Sequence, residues 1–210
     1  MQLLVASNNA KKLKELEHIL ALAGVQGVDI LPLSAVDPYS EPVEDGRHFA
    51  DNALIKARAG VRETGLATIA DDSGLAVEEL NGMPGVLSAR WSGVHGDDEA
   101  NNRLLLAQMG DVPDERRRCA FVSVCALVAP NGEEHLAEGR WEGHLLRAPL
   151  GDNGFGYDPL FLPADEVAAG RSSAQLSAEE KNALSHRGKA LAQLVEVIRG
   201  MAEGQATVVD

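Results

Sequence analysis

The sequence predicts an α/β fold built on a central mixed, twisted sheet with flanking helices. Three observations predict it. Strand-like and helix-like segments interleave along the first half of the 210 residues. A later Asn131-Gly132 pair joins an apolar, β-rich segment to a returning partner strand as a hairpin, which adds an antiparallel part to the sheet. The composition, 45% hydrophobic and 24% charged, is that of a globular chain able to bury a core.

Residues 2–6, QLLVA, read as a short buried strand. After Ser7-Asn8-Asn9, the spacing of Leu13, Leu16, Ile19, Leu20 and Ala23 predicts a helix that Gly24 closes. VDILPL (28–33) reads as a second strand, and the polar, proline-bearing stretch 34–48 as a loop. A helix from Phe49 to Glu63 ends at Gly65. LATIA (66–70) is a strand running into Asp71-Asp72, with a Ser73-Gly74 turn and a further strand-like piece, LAVEEL (75–80), behind it. Residues 81–86 form a turn. Asp97 is placed to cap a helix over 98–109. CAFVSVCALVAP (119–130) and the segment from Glu134 form the hairpin. Residues 151–159, GDNGFGYDP, are irregular and lead into a short strand, LFL. The last helix runs from Ser177 to Arg199, opens on a Ser177/Glu180 capping box and ends at Gly200, leaving 201–210 as a frayed tail. Residues 1–200 are expected to form a single domain.

The formal charge of −13 argues against a broad nucleic-acid surface, which needs a basic footprint. It leaves room for a small phosphorylated ligand, held by a local cation cluster or a bridging metal. No apolar run approaches the ~20 residues needed to span a bilayer, and the first residues lack a basic and apolar leader. Cys119 and Cys125 share one strand face, a poor geometry for a disulfide, so reduced packing in a cytoplasmic protein is expected.

Four constellations carry candidate chemistry. The first is Ser7-Asn8-Asn9-Ala10-Lys11-Lys12 at a strand-to-helix turn, where free N–H groups and a lysine suit an anion. The plainer reading is an ordinary cap followed by a solvated face, and no Walker A pattern is present. The second is Asp71-Asp72-Ser73-Gly74. Paired carboxylates at a strand end are costly unless a cation holds them, and oxygen ligands without a histidine or cysteine cluster suit Mg²⁺. The plainer reading is a turn leaving a strand. Ser73 lacks the G-x-S-x-G elbow of a hydrolase nucleophile. The third is Phe155-Gly156-Tyr157-Asp158. It offers flat faces for a base, close backbone approach and an acceptor; otherwise it is a glycine-rich turn with packing aromatics. The fourth is Lys181, Ser185, His186 and Arg187. This run gathers cations on one side of the last helix, or is simply a solvated polar face.

In combination, SNNAKKLKE (7–15), FADNALIKA (49–57), ADDSGL (70–75), PGVLSARWSG (84–93), GFGYDPLF (154–161) and EKNALSHRGKA (180–190) resemble the inosine triphosphate pyrophosphatase family, house-cleaning enzymes that remove non-standard purine nucleotides such as ITP, dITP and XTP. The pieces span nearly the whole chain in that family's order. The resemblance implies Mg²⁺-dependent cleavage of a purine nucleoside triphosphate between its α and β phosphates, two lobes around a substrate cleft, and a homodimer. It implies that Ser7, Asn9 and Lys12, within the 7–12 stretch, meet the triphosphate. Asp72 is then general base and metal ligand, and Ser73 lies beside the substrate. Phe155 to Asp158, Lys181, His186 and Arg187 hold base and phosphates. The first motif departs from the commoner Thr-Gly-Asn but keeps its hydroxyl. A second acidic ligand is expected from the loop SEPVEDG, as Glu44 or Glu41, with Glu44 favoured.

The expectation is therefore that Asp71, Asp72 and Glu44 hold Mg²⁺, and that Asp72 takes the proton of a water attacking the α-phosphorus. A donor from His186, Arg187 or a backbone N–H near Phe155 would read the 6-oxo group. Two competing readings are a pyrophosphatase for pyrimidine or modified nucleotides and a nucleotide sensor that does not hydrolyse its ligand.

Overall fold

The computed structural model describes residues 1–206, apart from the side chains of 178, 182, 205 and 206. The strands are β1 (Gln2–Val5), β2 (Asp29–Pro32), β3 (Ala67–Val77), β4 (Arg118–Val128), β5 (Glu134–Leu145) and β6 (Phe161–Pro163). The helices are α1 (Ala10–Leu22), α2 (Phe49–Thr64), α3 (Asp98–Gln108), α4 (Ala178–Leu184) and α5 (His186–Ala206). The strands form one mixed sheet in the order β2-β1-β3-β4-β5-β6. The chain divides into two compact units.

The first unit comprises Met1–Asp72, Ser123–Gly139 and the chain from Arg187 on. β1 pairs in parallel with β2 and with β3, Leu3 lying opposite Ile30 on one side and Ala67 on the other. The apolar run of β1 is buried because both its faces meet other side chains. Leu16 and Leu20 of α1 and Leu191, Leu194 and Ile198 of α5 pack with Leu3 and Ile69 into one core. Gly60 of α2 allows a close approach to β3: a Cβ there would lie 2.5 Å from Cγ2 of Thr68. At the Asn131-Gly132 turn, Gly132 has φ +87°, and Ala129 N donates to Glu133 O at 2.9 Å.

The second unit comprises Ser73–Val122 and Arg140–His186. Leu75, Leu105, Met109, Trp141, Leu160 and Phe161 form its core. Asp97 caps α3 as expected, accepting from Ala100 N at 3.0 Å. The Ser177/Glu180 capping box closes in both directions, at 2.8 and 3.2 Å. Arg117 is 2% exposed and donates to the carbonyls of Met109, Leu145 and Leu146. Both cysteines are free and buried. Burial pushes the Cys125 thiol up to about 12.

Three expectations about elements are corrected. Asp71-Asp72-Ser73-Gly74 is no turn but the middle of the single strand β3, and residues 78–80 form a 3₁₀ turn. Gly74 serves close approach: a Cβ there would lie 2.3 Å from Ser88 Oγ, the atom that accepts from Leu75 N at 2.9 Å. The last helix is two helices, broken at Ser185, a residue type that favours caps over helix interiors. α5 does not stop at Gly200 but continues to Ala206, because burial of Ile198 and Ala202 outweighs the ~1 kcal/mol cost of an interior glycine. Of the expected frayed tail, residues 207–210 lie outside the described residues.

Candidate active site

In the first unit, β1, α1, α2, β3 and α5 bring a charged cluster together. Asn9 caps α1, its Oδ1 accepting from Lys11 N at 3.0 Å, while Ser7 Oγ accepts from Asn9 N at 3.2 Å. The turn is thus pre-set, with the start of α1 as its anion-attracting end. Within the first turn of the helix, Lys12 Nζ reaches both oxygens of Asp71, at 2.8 and 2.9 Å. Arg187, the second residue of α5, donates to Asp71 Oδ2 at 3.1 Å and lies 3.4 Å from Glu15. Asp71, Lys12 and Arg187 line one small pocket together with Val5, Leu16, Ile69, Cys125 and Leu191. Burial alone would raise the Asp71 pKa, but Lys12 and then Arg187 outweigh it and hold the carboxyl well below the usual carboxylate range.

Asp72 points to a different set of partners, as alternation along a strand requires. Its Oδ2 accepts from Asn52 Nδ2 at 2.9 Å, and its Oδ1 lies 3.9 Å from Lys56 Nζ. Lys56 also binds Glu44 Oε2 at 2.8 Å. The buried Asn52 amide is fixed from its other end, since its Oδ1 accepts from Gly46 N at 2.9 Å. Gly46 has no room for a side chain: a Cβ would lie 2.6 Å from that same oxygen. Asn52 therefore ties the end of the Glu44 loop to the Asp72 carboxylate. Glu41 is placed elsewhere, accepting from Asn8 Nδ2 at 2.7 Å.

Asp72 and Glu44 thus converge on one cationic position, held here by Lys56. Among the described residues no three His, Cys, Asp or Glu side chains gather as a metal cage. Two carboxylates completed by substrate oxygens and water are the usual environment of Mg²⁺, so this donor set fits that ion. Asp71 faces other cations, both of its oxygens being engaged by Lys12 and Arg187. Asn52 and Lys56 were missed in the sequence. Their signal was the i, i+4 spacing of two polar residues on α2, a helix whose buried face is mostly small alanines.

In the second unit, side chains of α3 and α4 hold the loop 154–158. Asp158 is 1% exposed and fully engaged. Its Oδ1 accepts from Ser173 Oγ at 2.8 Å, and its Oδ2 accepts from Phe155 N at 2.9 Å and from Lys181 Nζ. The expected free acceptor is therefore a hub that orients the loop and Lys181. Tyr157 is 4% exposed and belongs to the core, its hydroxyl donating to Ser88 O at 2.9 Å. It offers no open face. Phe155 does: the residue is 66% exposed, with Lys181 Nζ 5.1 Å from the ring centroid. The N–H groups of Phe155 and Gly156 are both spent on carboxylates, the second on Asp98 Oδ2 at 2.6 Å. That removes the backbone from the candidate readers of a 6-oxo group. His186 stacks on Phe121 with ring centroids 5.3 Å apart. The break at Ser185 puts Lys181 on α4, and His186 and Arg187 on α5, so the three do not share one helix face. Ser73 lies on β3, one residue beyond Asp72.

The chain is similar to known proteins over nearly its whole length. The Ham1 family model matches residues 3–197. A dITP/XTP pyrophosphatase of Corynebacterium diphtheriae is 71% identical over 202 residues, covering 95% of this chain and 98% of that protein. One from Mycobacteroides abscessus is 60% identical, covering 96% of each. Among solved structures, a nucleoside-triphosphatase (dITP/XTP pyrophosphatase) from Mycobacterium abscessus superposes with a TM-score of 0.81 at 61% identity, covering 92% of this chain and 97% of that one. The Ham1 protein of Staphylococcus aureus gives 0.85 at 34% identity, covering 96% of this chain and all of that one (100%). Among the described residues, no helix is long and apolar enough to cross a membrane.

Proposed function

Because the chain belongs to the Ham1 family, we propose that it hydrolyses non-standard purine nucleoside triphosphates (dITP, ITP and XTP) to the monophosphate and pyrophosphate, acting as a cytoplasmic homodimer. The observation that carries this reading is the Asp72 carboxylate, fixed by Asn52 at 2.9 Å beside the Lys56 ammonium. A carboxylate oriented on one side by an amide and left near a cation on the other is equipped to take a proton and to face phosphate.

In this mechanism Asp72 and Glu44 would hold Mg²⁺. When bound, the ion neutralises phosphate charge and favours departure of pyrophosphate. Asp72 accepts the proton of a water whose oxygen bonds to the α-phosphorus, while the bond to the α–β bridging oxygen breaks and its electron pair leaves with pyrophosphate. Ser7, Asn9 and the first turn of α1 receive the triphosphate through hydroxyl, amide and N–H donors. Lys12 and Arg187 supply the cations. Asp71 holds these two in place before substrate arrives, a role that replaces the metal-binding one expected from the sequence.

The exposed Phe155 ring stacks the purine, with Lys181 fixed beside it by Asp158. His186, the remaining side-chain donor of that unit's set, reads the 6-oxo group. An amine in its place leaves a donor unpaired, a mismatch of ~1–3 kcal/mol. Product analysis tests the bond assignment. Chromatography of a dITP digest should show dIMP and pyrophosphate in equal amounts; dIDP with orthophosphate would contradict cleavage at the α-phosphorus.

A further inference from the structure

Residues 154–158 are held at almost every position from within the second unit, and the hold on Gly156 comes from a helix that carries none of the residues assigned above. Asp98 Oδ2, at the first position of α3, accepts from Gly156 N at 2.6 Å. One turn further along, Asn102 Nδ2 donates to Gly156 O at 2.9 Å. Both backbone polar groups of one residue, and so the peptides on either side of it, are thus gripped by two side chains at i and i+4, the spacing that stacks residues on one helix face. Gly156 itself has φ +60°, a conformation that carries a penalty for any other residue. The two bonds select this one among the conformations open to a glycine.

A second observation sets Asn102 apart. Its Oδ1 is shielded from solvent without a hydrogen-bond partner. Such an acceptor is unfavourable, so this side chain is not optimised for stability. The neighbour on the N-terminal side of Gly156 is Phe155, whose ring is the exposed face of the loop.

We infer that Asp98 and Asn102 are positioning residues for base recognition: they clamp the Gly156 peptide and thereby fix the Phe155 ring where a purine stacks. The inference rests on the proposed reading of Phe155 as the base platform. Neither residue touches substrate. They act by removing the loop's freedom before binding, which lowers the ordering cost that a nucleotide would otherwise carry.

The test uses the full chain with three substitutions: Asp98→Ala, Asn102→Leu and Asp98→Asn, the last keeping an acceptor at the same place. Hydrogen exchange at Gly156 reads the clamp directly. Steady-state kinetics on dITP and ATP reads its use, and thermal melting reads stability. Loss of one such bond is expected to speed Gly156 exchange and raise KM for dITP about tenfold, with kcat changed less than about threefold, and to shrink the dITP-to-ATP preference. Asp98→Asn should restore most of the loss. Asn102→Leu should show the same loss as Asp98→Ala with melting unchanged or raised, because it also removes the unpaired acceptor, and this separates positioning from simple destabilisation. Unchanged Gly156 exchange in both disrupting variants would overturn the clamp. Faster exchange with unchanged KM and preference would overturn its role in recognition. If the unaltered protein cleaves neither nucleotide, the proposed function fails, and with it the role in recognition, while the exchange data still decide the clamp.

Discussion

At the scale of single residues, the adjacent carboxylates of β3 divide two tasks by pointing to opposite sides of the strand. Asp71 is saturated by Lys12 and Arg187. Removing its charge in Asp71→Asn strands two partly buried cations and should cost about 3 kcal/mol of stability, read by denaturant melts. Asn52→Leu should leave the fold largely intact yet cut kcat for dITP by at least about tenfold, since Asp72 loses its fixed orientation. Full activity in that variant would show that Asp72 needs no such support. His186→Ala should lower the preference for dITP over ATP by ~5–100-fold. Tyr157 supplies a pH effect. Burial raises its phenol pKa above the usual value of 10.0. The sign follows from the neutral form being the one the fold favours: the stabilisation is complete below pH 10 and fades as pH rises above it. The difference between melts of the protein and of Tyr157→Phe should be constant up to about pH 10, and beyond it the unaltered protein should lose stability relative to Tyr157→Phe.

At the scale of elements, most of what positions these residues was readable from the sequence, and the exceptions have physical causes. α1, α2 and α3 lie within a residue or so of expectation because each carries a cap or a terminal glycine: Asn9, Gly65 and Asp97. The DDSG segment misled because small polar residues signal turns, whereas Gly74 here makes room for Ser88. The break at Ser185 was hidden by apolar spacing that continues on either side of it. Asn52 and Lys56 escaped because polar residues on a helix are ordinarily solvated, and only the fold brings Asp72 and Glu44 to them. Elsewhere on α2, Gly60→Ala tests the packing of helix on strand. Alanine is the better helix former by ~1 kcal/mol, but its methyl would collide with Thr68. Overpacking of that kind costs about 1–3 kcal/mol, so a lower melting temperature is expected. A higher one would mean that α2 can move away from β3 at little cost.

At the scale of the whole molecule, a chain of formal charge −13 is proposed to act on a polyanion. Cations must then be local, and they are: Lys12, Lys56 and Arg187 each contact a carboxylate that fixes its place. The sequence showed the acid balance and the order of the family's motifs; it did not show that the lysines are already paired, because pairing is a property of the fold. The central claim is that Asp72 is the base of a metal-dependent pyrophosphate release. It is tested most directly by following pyrophosphate release from dITP by the unaltered chain and by Asp72→Asn, each with Mg²⁺ and with EDTA. The account predicts release by the unaltered chain that EDTA abolishes, and a fall of at least about a thousandfold in Asp72→Asn with dITP still bound. Near-normal turnover in Asp72→Asn, or turnover that survives EDTA, would contradict it.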